Sequence, residues 1–201
     1  MTKLEIAKKV IIDSGGIAKT SMFLEASLRR VDVCKLTNSG LIKRVHHGFY
    51  SLNNDSDLSE EKYIAKLIPE GIVCMESALF YYGYSDFTPR QWAIAVPRLV
   101  SQNKIKSNVV PIKPYYVQES VYELGKTTGD FGGTILPVYD KERTICDCFK
   151  YKNKIDNELF AKAINSYALD KNKNLINLSK YAKELKVYKK VIDTMEMIFN
   201  G

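Results

Sequence analysis

Histidine is almost missing from this chain. The two present, His46 and His47, are adjacent, so no spaced imidazole pair can close on a metal. The four cysteines, Cys34, Cys74, Cys146 and Cys148, form no C-x-x-C. A structural zinc site takes its ligands from recurring close pairs, so neither a metal nor another cofactor is expected. Free thiols in a reducing compartment are expected instead. No run of about 18 apolar residues occurs, which excludes a membrane-spanning helix of ordinary length. Met1-Thr2-Lys3 leads straight into an amphipathic pattern, without the apolar stretch of a secretory leader. The expected location is cytoplasmic. Internal repeats and low-complexity tracts are absent as well.

What the chain does hold is apolar residues, 45% of 201, enough for one large domain or two small ones. The formal net charge is +7, and a basic surface favours polyanions. The excess is concentrated. Residues 1–52 carry nine Lys/Arg against four Asp/Glu, while the other 149 carry 21 against 19.

That basic quarter has a legible order. Leu4, Ile6, Ala7, Val10 and Ile11 recur at helical spacing over 3–13, and Gly15-Gly16 ends the helix. Thr20 is placed to cap a second helix over about 21–26, with Met22, Phe23 and Leu24 available for packing. Ala26-Ser27-Leu28 makes a turn. A third helix runs near 29–38, with Val33 and Leu36 inward and Arg29, Arg30, Cys34, Lys35 and Asn38 outward. Residues 41–52 read as a β-hairpin: Lys43 and Arg44 on its first strand, His46-His47-Gly48 at its tip. Helix, turn, helix and hairpin in this order predict a winged helix-turn-helix over residues 1–55.

Arg29 and Arg30 then fall where base edges or phosphates are met, and Lys35 and Asn38 lie further along the same face. Lys43, Arg44, His46 and His47 belong to the wing. Lys19 and Ser21, near the start of the second helix, suit phosphate contacts. No carboxylate lies close in sequence to orient either imidazole for catalysis.

The polar stretch Asn53–Asp57 reads as a linker. Residues 58–201 form the expected second domain, a small sheet with several helices, making the whole α+β. Helices are expected over 59–68 and 71–83, a strand at WAIAV from Trp92, and extended chain over 109–118 near a sheet edge because of Pro111 and Pro114. Strand signals recur at 121–124 and 134–139, with GKTTGDFGG as a glycine-punctuated turn between them. Helices follow over 140–150 and about 156–169, 175–185 and 187–199.

Gly125-Lys126-Thr127 ends like a phosphate-binding loop, but Ser120 stands where its first glycine belongs and no helix follows. A nucleotide-binding enzyme using 125–133 is therefore the lesser reading, as is an RNA- or protein-binding adaptor. Asp140 reads as a helix cap, and Arg143 with Asp147 as an i, i+4 pair. No paired carboxylates are spread for acid–base work.

Three stretches together resemble the AbiEi-type antitoxins of bacterial abortive-infection toxin–antitoxin systems. They are GGIAKTSMFLEASLRRVDVCKLTNSGLIKRVHHGFYSL, ESALFYYGYSDFTPRQWAIAVPR and GTILPVYDKERTICDCFKYKNKID, spanning most of residues 15–156. The resemblance implies a winged-helix autorepressor that binds inverted repeats in promoter DNA and has no catalytic activity of its own. It also implies neutralisation of a nucleotidyltransferase-like toxin, without a stable complex, through the C-terminal domain. The paired-aspartate signature of the toxin itself is absent from this chain.

Overall fold

Helix α1 (Lys3–Asp13) begins where Thr2 and Glu5 cap each other. The Thr2 hydroxyl accepts from the Glu5 N–H at 3.2 Å and the Glu5 carboxylate accepts from the Thr2 N–H at 2.8 Å. Its Ala7 and Ile11 are fully buried. A computed structural model describes residues 1–53, 59–105 and 109–200, and these fold as two compact units. The first comprises Met1–Pro69 with Ser101–Pro111; the second comprises Glu70–Val100 with Ile112–Gly201. The molecule is α+β, with one sheet in each unit.

In the first unit, strand β1 (Ala18–Lys19) leads into α2 (Thr20–Glu25) and then α3 (Arg30–Asn38). Strands β2 (Ile42–His46) and β3 (Phe49–Leu52) complete a three-stranded antiparallel sheet in the order β1-β3-β2. The helices close over it around Ala7, Ile11, Ala18, Phe23, Leu28, Val33, Leu36 and Ile42. Burying one such aliphatic or aromatic side chain is worth about 1.5–3 kcal/mol.

Helix α4 (Glu60–Leu67), expected to open the second domain, belongs to the first unit with Tyr63, Ile64 and Leu67 buried. The unit boundary thus follows Pro69 rather than the polar stretch at 53–57, most of which lies outside the described residues. Polarity marks a loop; it does not say which side its neighbours pack on. Ser101–Pro111, carrying the short helix α6 (Gln102–Ile105), also returns to the first unit.

The second unit has a mixed five-stranded sheet in the order β6-β5-β4-β8-β7, built from β4 (Ile72–Val73), β5 (Trp92–Pro97), β6 (Ile112–Val117), β7 (Lys126–Phe131) and β8 (Thr134–Tyr139). Pro114 sits on β6, an edge strand, as its missing N–H requires. Helices α5 (Met75–Tyr81), α7 (Lys141–Lys150), α8 (Asn157–Leu169), α9 (Leu175–Glu184) and α10 (Tyr188–Asn200) supply the rest of the core.

Three sequence expectations change. The helix expected over 71–83 starts only at Met75, because Ile72 and Val73 pair with Ala95 and Ile94 as the sheet's central strand. No strand forms at 121–124, where a 3-10 turn (Glu119–Val121) runs on into further turn residues, and the stretch GKTTGD, expected as a turn, is itself mostly β7, antiparallel to β8. Among the described residues no helix is long and apolar enough to cross a membrane.

Candidate nucleic-acid interface

Thr20, expected to cap α2 from outside, is instead the first helical residue. Both its N–H and its hydroxyl donate to the Gly48 carbonyl, at 2.8 and 3.2 Å. This ties the start of α2 to the turn of the hairpin. Gly48 takes φ +78° there, a conformation that glycine adopts without a Cβ clash. Of the three residues offered for packing, only Phe23 is buried; Met22 and Leu24 are exposed.

The hairpin pairs Ile42 with Leu52, Arg44 with Tyr50 and His46 with Phe49, so Val45 is an extra residue, a bulge. Arg44 and Tyr50 are thus cross-strand neighbours on the face that carries Ile42 and Leu52 into the helical core. Arg44 lies at the margin of that core, exposed, opposite the start of α3. The result is an open cleft of about 270 Å³ lined by Thr20, Arg30, Val33, Arg44, His47, Gly48 and Tyr50.

Three of the sequence-selected residues therefore converge: Arg30 from α3, Arg44 from β2 and His47 from the turn. None of the three enters an ion pair among the described residues. Lys35 and Asn38 are exposed along α3, with the Asn38 amide 3.8 Å from the Cys34 sulfur. Ser21 and Lys19 are exposed outside the cleft, and Lys19 Nζ rides 5.6 Å above the Phe49 ring. Lys43 is half-buried opposite Ser51.

Two residues behave differently from their sequence placement. His46 lies within β2 rather than at the tip. Its ring meets Phe49 edge-on and its Nδ1 is buried without a hydrogen-bond partner among the described residues. Arg29, expected to act beside Arg30, is drawn to Asp32, whose carboxylate takes its side chain at 3.3 Å and its backbone N–H at 3.0 Å. Asp32 also accepts from Lys3 of α1 at 2.7 Å. That lysine, then the Arg29 N–H, hold its carboxyl down at about 2. An acid in the first helical turn was a readable signal; its bond to Lys3, 29 residues away, was not. Tyr50 and Val33 also escaped notice as lining residues, since only the strand register brings them there.

In the second unit the stretch Tyr139–Cys148 is a buried polar network, not a surface site. Arg143 is fully buried; its Nε meets Asp147 at 3.0 Å and its Nη1 donates to the carbonyls of Val121 and Leu124 at 2.6 and 2.8 Å. Its guanidinium stacks 4.1 Å over the Tyr139 ring. Burial pushes the Asp147 carboxyl up, opposed by the Arg143 charge. Asp140 caps α7 as expected and accepts from the Tyr181 hydroxyl. The buried Glu142 accepts from the Tyr167 hydroxyl and the Asn174 N–H. Cys74, Cys146 and Cys148 are buried and their thiols are pushed up by burial, which leaves them poor nucleophiles. Lys126, the residue a nucleotide loop would need, lies on β7 and pairs with Glu123 at 2.9 Å.

No protein-family model matches the chain, and neither does any curated protein. Among solved structures, the RV2827C protein from Mycobacterium tuberculosis is similar, with a TM-score of 0.61 at 13% identity over 88% of this chain and 70% of that one. Identity this low shows a shared fold alone.

Proposed function

We propose that the protein is a sequence-specific DNA-binding regulator whose first unit works as a winged helix-turn-helix. Helix α3 enters the major groove and the β2–β3 hairpin is the wing. The observation that carries this reading is a set of exposed basic residues without acidic partners among the described residues. Arg30, Lys35, Arg44 and His47 enter no ion pair among the described residues, while Lys3 and Arg29 are paired off by Asp32. Exposed arginine and lysine on a helix and an adjoining hairpin are an electrostatic footprint for phosphate.

The resemblance to AbiEi-type antitoxins extends the proposal: the DNA is an inverted repeat in the protein's own promoter, and the second unit neutralises a nucleotidyltransferase-like toxin without a stable complex. In the second unit the sequence-selected polar groups Asp140, Glu142, Arg143 and Asp147 all bond within the fold, and we assign no catalytic role to the chain.

The test is gel retardation of the DNA upstream of its gene. With about four to six phosphate contacts, log affinity should fall against log salt with a slope of about −4 to −5. Replacing Arg30, Lys35, Arg44 and His47 together by alanine should abolish the shifted band. Retention of wild-type affinity would remove the assignment of this face. Growth rescue of cells expressing the adjacent gene, without co-purification, tests the antitoxin extension.

A further inference from the structure

The cleft between α3 and the hairpin is more than part of a basic face. It brings Arg30 and Arg44, fourteen positions apart, to one concave opening, with His47 at the same opening and no carboxylate in the lining. Like charges gathered this way repel, and an anion placed between them removes the repulsion. The nearest acid in sequence, Asp32, is buried and committed to Lys3 and Arg29. It is therefore not available to neutralise the cleft.

The hydrogen-bond inventory narrows what can enter. Thr20 spends both its donors on the Gly48 carbonyl, so that part of the lining is fixed and offers no hydrogen to a ligand. Among the described residues Arg44 uses only Nε, in a long 3.4 Å contact with the His46 carbonyl, which leaves both of its terminal nitrogens. Arg30, the first residue of α3, makes no side-chain hydrogen bond among the described residues and adds the partial positive charge of a nine-residue helix. Two guanidinium forks lining one opening suit the tetrahedral oxygens of a phosphate. Lys35 and Asn38 lie on α3 but outside the cleft.

We propose that this cleft holds a single backbone phosphate of duplex DNA, gripped by Arg30 from the helix and Arg44 from the wing. The shared phosphate fixes helix and wing to the same point of the duplex. Base identity is then read further along α3, by Lys35 and Asn38. This division of labour rests on the DNA-binding reading above and sharpens it: phosphate contacts position, base contacts specify.

The test uses the full-length protein and two fluorescent duplexes of equal length, one from the DNA upstream of its own gene and one scrambled. Arg30→Ala and Arg44→Ala should each weaken binding to both duplexes by the same factor, about 10- to 100-fold for one charged hydrogen-bonded contact. The double variant should fall well short of the product of the two losses. Its salt slope should drop by about 1, one phosphate, rather than by about 2. The preference for the upstream duplex should survive in all three, whereas Lys35→Ala and Asn38→Ala should erode it. Arg30→Lys, which keeps the charge but not the fork, should keep the wild-type slope with part of the affinity lost.

Additive losses with a slope change of about 2 would place the two arginines on separate phosphates and overturn the clamp. Loss of sequence preference in Arg30→Ala would make it a base reader and overturn it equally. Wild-type protein that binds neither duplex overturns the DNA-binding reading itself, an outcome distinct from both. Thermal unfolding by circular dichroism should be unchanged in every variant, since all the substituted side chains are exposed.

Discussion

Two regions of this molecule are built around arginine, and they are opposites. In the second unit Arg143 is fully buried, with four contacts: a carboxylate, two backbone carbonyls and an aromatic ring. In the first unit Arg30 and Arg44 are exposed and face an open cleft without an acid. The same side chain thus stands in two settings, and its partners separate them. A buried guanidinium must be satisfied within the fold because desolvating it costs several kcal/mol. An exposed one left unsatisfied keeps its donors for a ligand. The residue stretch most suggestive of chemistry by composition, Asp140 to Asp147, is the one whose polar groups bond mostly inside the fold, with Arg143 Nη2 and Asp147 Oδ1 buried and without a hydrogen-bond partner among the described residues.

The largest effect that would sharpen this contrast is loss of the buried arginine. Arg143→Met should destabilise the second unit by about 3–5 kcal/mol, because it strands Asp147 as a buried unpaired charge. Replacing both partners, Arg143→Met with Asp147→Leu, should recover much of that loss. Trp92 is the only tryptophan and lies in the second unit, so its fluorescence during denaturant unfolding reports that unit. If Arg143→Met unfolds at the wild-type midpoint, the network is not what holds α7 in place. By contrast, the Arg30→Ala, Arg44→Ala double variant should change stability by no more than about 0.5 kcal/mol while losing DNA affinity.

Gly125 probes the same network from its rim. A Cβ built there would stand 2.5 Å from Arg143 Cβ and 3.0 Å from an Asp140 oxygen, and its φ is +72°. Gly125→Ala should therefore cost about 1–3 kcal/mol by overpacking, with the positive φ adding to it. An unchanged midpoint would mean that the turn before β7 can move away from α7.

Much of the fold was legible. Helices α1, α3 and α7 to α10 start and stop within about two residues of where apolar spacing and caps place them, the ordinary margin for helix ends that fray. The Arg143–Asp147 pair was legible as an i, i+4 contact, but its burial was not, because the carbonyls that complete it belong to Val121 and Leu124. Strand β4 was missed since two residues are too few to show an alternation. In the candidate site, the outward faces of Arg30, Lys35 and Asn38 followed from helical period. The meeting of Arg30, Arg44 and His47 did not, since it depends on the bulge at Val45 and on the register of Arg44 with Tyr50. The separation of Arg29 from Arg30 depends on Asp32 bridging to α1.

Asp32 gives a smaller effect, readable by pH. Its carboxyl is held at about 2 by Lys3 and the Arg29 N–H, below the ordinary value of about 3.9. A depressed folded-state value stabilises the fold fully above about pH 4, and the contribution is lost as pH falls toward 2. Asp32→Asn should therefore lower stability at neutral pH and lose less than the wild type between about pH 4 and 2. It should leave Arg30 and Arg44 free and weaken DNA binding far less than their removal does. Asp170 is the counterpart in the second unit, held down at about 2 by Lys141 and then Tyr84. The Trp92 signal should follow Asp170→Asn over that window and ignore Asp32→Asn.

The smallest expected effect concerns Lys126. It is a basic residue whose neighbours resemble a phosphate loop, yet it sits on a β-strand with its ammonium paired to the exposed carboxylate of Glu123. An exposed pair of this kind is worth at most about 1 kcal/mol, so Lys126→Ala should move neither the Trp92 midpoint nor DNA affinity measurably. Titration of the wild type with ATP or GTP should give no binding heat, because phosphate cradling needs free backbone N–H groups leading into a helix. Here the N–H groups after Gly125 belong to a strand paired with β8. Heat that disappears in Lys126→Ala would make this third basic position a ligand site after all. The rule that separates Arg143 from Arg30, that a cation already paired inside the fold is structural, would then fail where the pairing is exposed and weak.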